Sequence, residues 1–372
     1  MGTIRFLLAL AVVCAHVGKL PFTVPLGGLL AVQSFYVISG FLIALVWDRR
    51  YSRLPNGLSL FYANRAARIY LTYWAVLAIS VAIAIGVRLL ISDLPTHVII
   101  GPPPGLRLYS LFTNLWIFGS SQAYWMGWAD GSLYYTMDFT SSPFPVWRTM
   151  TLGPAWTLDL ELTFYLLAPF LVSRGWRTIF AIIALSFIAR FSWYAMGHDA
   201  DPWNYRFFPF EIGLFVLGIA SYRISKWMAW RPPPPLLYLI FAFAVGSIVG
   251  FDRLGYSSSC FVYLFVFAAL LPYVFALTHA WKVDCFLADI SFPLYLAHWP
   301  VWLFIRDYLP VPWPQYPGIV PAVASILVAA GLVIVVERPI ERWRHRRTAS
   351  LANTAPSANS AGLPQGAIAP AS

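Results

Sequence analysis

The chain has 372 residues, of which 59% are hydrophobic and 11% are charged, and its mean hydropathy is +0.68. This composition excludes an ordinary soluble domain, in which about 25% of residues are charged, and predicts a polytopic membrane protein. The formal net charge of +10 would suit a nucleic-acid partner, but the basic residues stand singly between apolar runs and form no patch. We therefore expect a lipid bilayer, and no nucleic acid, as a partner.

Ten segments approach the length of about 20 mainly apolar residues that crosses a bilayer as a helix. They are 4–21, 27–47, 69–91, 156–172, 177–196, 207–225, 234–251, 257–278, 290–309 and 318–336. The predicted fold class is an all-α polytopic membrane protein with a bundle of about ten transmembrane helices. Residues 105–119 are a candidate for one more embedded or re-entrant segment.

Basic residues predict the orientation of this bundle. A cytoplasmic N-terminus leaves most of the 25 lysines and arginines on the inner side, as the positive-inside rule requires, so both termini are expected in the cytoplasm. The long, aromatic-rich segment 92–155 would then fold over the outer mouth. Residues 1–345 are the predicted membrane domain, and the polar, proline-rich residues 346–372 are a predicted disordered cytoplasmic tail.

The first predicted span carries two ionisable residues, Arg5 and His16. Eleven residues are close to three helical turns, so both lie on one face about 16 Å apart. Ionisable groups in a span usually face protein or water. A snorkelling arginine with a structural histidine is the alternative, as is a cleaved signal peptide covering residues 1–21.

Other predicted spans carry polar groups at a depth similar to that of His16. Glu161 lies one and a half turns into its span, Arg206 and Glu211 come in from the same side, and His298 is near the middle of the ninth span. Such groups in lipid are more often functional than structural. A purely structural polar network remains the alternative.

Arg65 and Arg68 stand at i and i+3 near the start of the third span and therefore share one helix face. Two guanidinium groups in this arrangement can hold phosphates in bidentate fashion. A plain positive-inside flank is the alternative. The three cysteines have no C-x-x-C spacing and no companion histidines, so we expect no metal site.

Six motifs, in order from Arg5 to Trp343, resemble the acyltransferase-3 family of integral membrane enzymes, which O-acylate cell-envelope glycans. The motifs are the arginine, ten residues, histidine pattern of Arg5 and His16, the aromatic-rich segment 33–43 around Ser39, the R-x-x-R of Arg65 and Arg68, "WTLDLELTFYLLAP" with Glu161, "ISFPLYLAHWPV" with His298, and "ERP" at 337–339. No esterase-like domain follows, so a stand-alone form is expected.

The resemblance implies acetyl-CoA as the acyl donor, with no bound cofactor, and a glycan acceptor on the outer side of the plasma membrane. It implies that His16 is a general base or transient acyl carrier, that Glu161 orients it, and that Arg5, Arg65 and Arg68 bind the donor. Four residues are secondary candidates: Ser39, Arg206, Glu211 and His298. The aromatics of the 92–155 segment, including Trp116, Trp125 and Trp128, would stack on sugars or form an interfacial belt.

Several positions depart from the family's pattern. Gln33 stands where an acidic residue is common, Leu71 where a proline is frequent, and Phe292 where a tyrosine is usual. These departures affect the expected acceptor more than the expected reaction. A transporter or flippase would also explain buried charges around a central cavity, and a non-catalytic receptor is a third alternative.

Overall fold

The computed structural model describes residues 1–22, 26–90, 102–227, 232–251, 258–310 and 312–343. It is about 77% helical, which agrees with the predicted all-α class. The described helices are α1 (Gly2–His16), α2 (Gly27–Val46), α3 (Gly57–Leu90), α4 (Arg107–Trp116), α5 (Trp156–Val172), α6 (Trp176–Ala195), α7 (Phe208–Trp227), α8 (Pro234–Val249), α9 (Ser258–Thr278), α10 (Lys282–Tyr308) and α11 (Ile319–Leu332). The predicted tail 346–372 lies outside the described residues.

Among the described residues, seven helices are long and apolar enough to cross a membrane: α2, α3, α5, α6, α7, α9 and α11, the last counted with its continuation to Trp343. Helices α1 and α8 are apolar but shorter, and α10 has 27 residues that include charged side chains along its length. Each of the ten predicted spans therefore coincides with a helix. The count of ten crossings and the orientation of the termini remain predictions.

Helix α2 lies at the centre of the bundle and packs closely against α7. Gly40 faces the Phe215 carbonyl and Gly218 faces the Val37 carbonyl, and a Cβ at either glycine would overlap that oxygen. Small residues let helix backbones approach closely where lipid offers no hydrophobic drive to pack. The two glycines therefore explain why these helices are in direct backbone contact.

Helix α1 is held against α10 at its first turn. The Asp284 carboxylate accepts hydrogen bonds from the backbone N–H groups of Gly2 (2.7 Å) and Thr3 (2.8 Å). These donors have no partner within their own helix, so a carboxylate from α10 caps α1. This contact defines the Arg5 end of the bundle; the opposite end, where α1 stops at His16, is the His16 end.

Residues 102–155 form a cap on the His16 end. The cap contains α4 and a three-stranded antiparallel sheet of β1 (Met126–Ala129), β2 (Ser132–Tyr135) and β3 (Phe144–Pro145). Asp159 of α5 anchors the cap, because its carboxylate accepts the Ser121 N–H at 2.9 Å and the Ser121 hydroxyl at 2.6 Å. The prediction of helices alone missed this small sheet, and residues 105–119 contain a surface helix of ten residues.

Candidate active site

A cavity of about 360 Å³ opens beneath the cap at the His16 end. His16, at the last residue of α1, lies in its wall, and Arg206 lies in the same wall. Half of the remaining lining residues are aromatic: Tyr124, Phe139, Trp147, Trp156, Tyr205, Tyr295 and Trp299. The cavity therefore combines one titratable base with many ring faces, which suits a ligand with both apolar faces and hydroxyl groups.

The His16 ring is oriented by its own helix. Its Nδ1 lies 2.8 Å from the Val12 carbonyl oxygen. A carbonyl oxygen only accepts hydrogen bonds, so Nδ1 carries the hydrogen and Nε2 keeps its lone pair. His16 is thus arranged to accept a proton at Nε2.

Two residues of α10 pack against the His16 ring. The His298 ring centroid lies 5.2 Å away, and the Trp299 ring meets His16 edge-on at 5.4 Å. His298 is fully buried, its Nδ1 lies 2.8 Å from the Tyr295 carbonyl oxygen, and its Nε2 has no hydrogen-bond partner among the described residues. His298 therefore supports the His16 ring from behind rather than lining the cavity.

Arg206 is enclosed by aromatic rings at the edge of the cavity. Its guanidinium lies 3.7 Å from the ring centroid of Tyr124, 4.2 Å from that of Trp156 and 4.3 Å from that of Tyr205. Asp201 binds it in bidentate fashion at 2.6 and 3.0 Å. Burial raises the pKa of Tyr124 and Tyr205, so both phenols stay neutral beside this fixed cation.

Glu161 belongs to a second polar group, nearer the Arg5 end. Its carboxylate accepts a hydrogen bond from Ser39 at 3.0 Å and another from the Tyr165 hydroxyl. Arg5 interacts electrostatically with Glu161, and also with Arg68 and Asp289. We call Arg5, Ser39, Arg68, Glu161 and Asp289 the Arg5 cluster.

The structure therefore separates two residues that the sequence paired. Among the described residues, the hydrogen-bond partners of Glu161 are Ser39 and Tyr165, and His16 is not one of them. The predicted orienting contact to His16 comes instead from the Val12 carbonyl. The reason is the helix geometry, since a backbone carbonyl four residues earlier is within reach of a helical histidine and needs no second helix.

Arg65 lies on the same helix as Arg68, one turn earlier. Arg65 acts electrostatically on Tyr165, whose hydroxyl donates a hydrogen bond to Glu161. The Nε of Arg65 is buried without a hydrogen-bond partner among the described residues. Three guanidinium groups, those of Arg5, Arg65 and Arg68, thus stand near the carboxylates of Glu161 and Asp289, and the carboxylates of Glu337 and Glu341 also act on Asp289. Planar guanidinium groups of this kind can donate paired hydrogen bonds to an anionic ligand.

Glu211 is not in the cavity wall. It forms an ion pair with Arg190 at 2.6 Å in which both side chains are fully buried, and Gln33 approaches its carboxylate at 3.4 Å. Glu211 was predicted at the site from the sequence, whereas Arg190 was not. The signal that could have found Arg190 is an arginine deep within the mainly apolar helix α6.

The tryptophans Trp147, Trp156 and Trp299 line the cavity. Trp147 belongs to the 92–155 segment whose aromatics were predicted to stack on sugars, whereas Trp156 and Trp299 lie outside that segment. Trp116, Trp125 and Trp128 are not in the described lining of the cavity. Trp125 packs instead on Trp203 at 5.6 Å. Tyr295 was missed as well; its hydroxyl lies 2.6 Å from that of Thr157 and ties the cavity floor to α5.

Comparison with known proteins gives one match. The model of the acyltransferase-3 family, described as an acyltransferase domain, matches residues 2–338. No curated protein and no solved structure matches the chain. The matched range contains the cavity, the Arg5 cluster and the cap.

Proposed function

Because the chain belongs to the acyltransferase-3 family and is a membrane acyltransferase, we propose that it is an O-acetyltransferase of envelope glycans. It moves an acetyl group from cytoplasmic acetyl-CoA to a hydroxyl of a cell-surface or lipid-linked polysaccharide. The Arg5 end faces the cytoplasm and the His16 end faces the outside of the plasma membrane. Acetyl-CoA is a substrate, and no bound cofactor takes part.

The observation that carries this proposal is the aromatic cavity with His16 in its wall. Flat rings such as those of Trp147 and Trp156 offer faces to the apolar side of a sugar, while the sugar's hydroxyl groups need polar partners. His16 is one such partner. A saccharide is therefore the acceptor class that fits the lining best.

His16 acts as the general base of the transfer. Its Nε2 takes the proton of the acceptor hydroxyl as the oxygen attacks the thioester carbonyl carbon, and the C–O bond forms. The C–S bond then breaks, and the thiolate of CoA leaves with the proton that His16 returns. The Val12 carbonyl holds Nδ1–H in place through both steps, and the positive charge of Arg206 stabilises the oxyanion between them.

The Arg5 cluster and the neighbouring Arg65 hold the donor. The phosphates of CoA bind Arg65 and Arg68, whose planar guanidinium groups match phosphate oxygens. In this proposal the pantetheine arm passes Arg5 and Glu161, which interact electrostatically, on its way to the cavity. Ser39, which donates a hydrogen bond to Glu161, is assigned to the same route.

Replacement of His16 tests the assignment. We expect His16→Ala, inserted normally in the membrane, to lower acetylation of envelope polysaccharide by about 10²-fold or more, the usual contribution of a general base. His279→Ala is the matched control, because His279 is exposed at the end of α9 and binds only carbonyls of its own helix. Glycan ester content, measured by mass, is the readout; retained acetylation in His16→Ala removes His16 from the mechanism.

A further inference from the structure

A second, larger concavity lies between α3, α10 and α11. Its volume is about 450 Å³, and its walls are almost entirely apolar, with Ile79 and Ile83 on α3, Phe304 on α10, and Ala324 and Val328 on α11. We call it the lateral groove. It runs along the half of α10 that ends at the His16 end of the bundle.

The lateral groove is continuous with the surface that faces lipid. Helices α3 and α11 are membrane-length apolar helices, and Ile79, Ile83 and Val328 are 48%, 46% and 42% exposed on the rim of the groove. In a bilayer these side chains contact hydrocarbon, so a hydrocarbon chain and not water fills the groove. The polar groups of the groove are those of Ser80, Thr151, Tyr308 and the Arg306–Asp307 ion pair, and the last three of these residues lie at the end of α10.

The groove and the His16 cavity lie on different faces of the same part of α10. Ala297 and Pro300 line the groove, while Trp299, between them on α10, lines the cavity. Trp299 rests on Gly153, where an added Cβ would lie 2.7 Å from its ring. The two spaces are therefore neighbours across α10, and both are bordered by the 151–154 segment of the cap.

We propose that the lateral groove binds the hydrocarbon chain of a membrane-anchored saccharide, whose sugar enters the His16 cavity. This inference rests on the proposed function, because it identifies the acceptor of that reaction as a glycolipid. Holding the anchor in a groove that shares α10 and the 151–154 segment with the His16 cavity raises the local concentration of the sugar at His16. It also fixes the direction from which the acceptor hydroxyl approaches.

Photo-crosslinking tests this site directly. The probe is hexadecyl glucoside with a diazirine at the far end of its chain, added to the full chain in phosphatidylcholine nanodiscs without acetyl-CoA. We expect the label on residues of α3, α10 and α11 that line the groove. Ala324→Phe, which fills the groove, should lower this labelling by about tenfold.

Three comparisons make the test decisive. Val323→Phe is the matched control, because Val323 is 51% exposed on the same helix and is not in the groove lining; it should label like the wild type. Unlabelled hexadecyl glucoside should compete with the probe, and excess phosphatidylglycerol should not. Equal competition by phosphatidylglycerol, equal labelling of Ala324→Phe, or label elsewhere would overturn the proposal.

The result is independent of whether acetyl transfer occurs. His16→Ala should be labelled like the wild type although it does not transfer acetyl groups, because the groove does not include His16. Failure of labelling with intact acetylation contradicts the glycolipid site alone. Normal labelling with intact acetylation in His16→Ala contradicts the proposed mechanism alone.

Discussion

The His16 ring is oriented by a backbone group of its own helix. The Val12 carbonyl, four residues earlier on the same helix, fixes the hydrogen on Nδ1 and leaves Nε2 free. Burial of His298 behind the ring limits how far His16 can turn. The carboxylate that a triad would supply is therefore unnecessary for orientation, and Glu161 is available for the Arg5 cluster.

The substitution Glu161→Gln tests whether the Glu161 carboxylate acts in the Arg5 cluster or on His16. The substitution keeps the side chain's size but removes the charge that faces Arg5 and accepts from Ser39. We expect turnover to fall about tenfold, the effect of about 1.4 kcal/mol, with no change in the pH dependence of kcat/KM. The measurement is acetyl transfer from labelled acetyl-CoA between pH 5 and pH 9.

A shifted pH profile in Glu161→Gln would mean that this carboxylate acts on His16 after all. Asp130→Asn serves as the control, since it removes a carboxylate at an exposed hairpin of the cap, at a positive φ that asparagine tolerates. It should match the wild type in both turnover and pH dependence.

Helices α6 and α7 are joined by a buried charge pair. Arg190 binds both the carboxylate of Glu211 and, in addition, the Phe210 carbonyl, and its guanidinium lies 5.2 Å from the Phe261 ring centroid. Both charged side chains are buried away from solvent. Each therefore relies on the opposite charge of the other to offset its lost hydration. This pair fixes α6 against the start of α7, the helix that follows Arg206.

Replacing one member of the Arg190–Glu211 pair should destabilise the fold more than replacing both members. We expect Arg190→Leu to cost about 3–5 kcal/mol, because it leaves the Glu211 charge buried without its cation. The double variant Arg190→Leu, Glu211→Leu should regain most of that stability and retain acetyl transfer. Thermal unfolding in detergent and an activity assay are the two measurements.

The outcome also decides between two roles of Glu211. A double variant that is stable but inactive would show that Glu211 takes part in the reaction, as the sequence suggested. An unstable double variant would show that the pair cannot be replaced by apolar packing at the α6–α7 contact.

The bundle as a whole has two polar sites near opposite ends of α1. Arg5 and His16 lie about 16 Å apart by helical rise, with the buried residues Ala9 and Val12 between them on that face. The described lining of the cavity includes no member of the Arg5 cluster. Transfer of the acetyl group from the Arg5 end to His16 therefore requires a long, thin donor arm that passes Tyr295 in the lining of the cavity.

Donor affinity should depend on the arginines at the Arg5 end. We expect Arg65→Ala with Arg68→Ala to raise KM for acetyl-CoA about tenfold or more, because each charge-assisted bond to phosphate contributes about 1.5–3 kcal/mol. The modified glycan should stay the same. KM for acetyl-CoA and the mass of the product are the measurements.

The control for the donor site is Arg148→Ala, which removes an arginine from the cap at the opposite end of the bundle. It should leave KM for acetyl-CoA unchanged. A double variant that acetylates a different glycan with normal dependence on acetyl-CoA would contradict the assignment of Arg65 and Arg68.

Sequence alone determined the membrane class, the positions of the helices and the family, because apolar length and motif order are local properties of the chain. The spacing of Arg5 and His16 on α1 was likewise fixed by helical periodicity. Tertiary structure alone decided which polar groups meet: Glu161 with Ser39 and Tyr165, Glu211 with Arg190, and His16 with His298 and Trp299. Partners on different helices depend on how those helices rotate and pack, and packing against α2 and the cap sets that rotation.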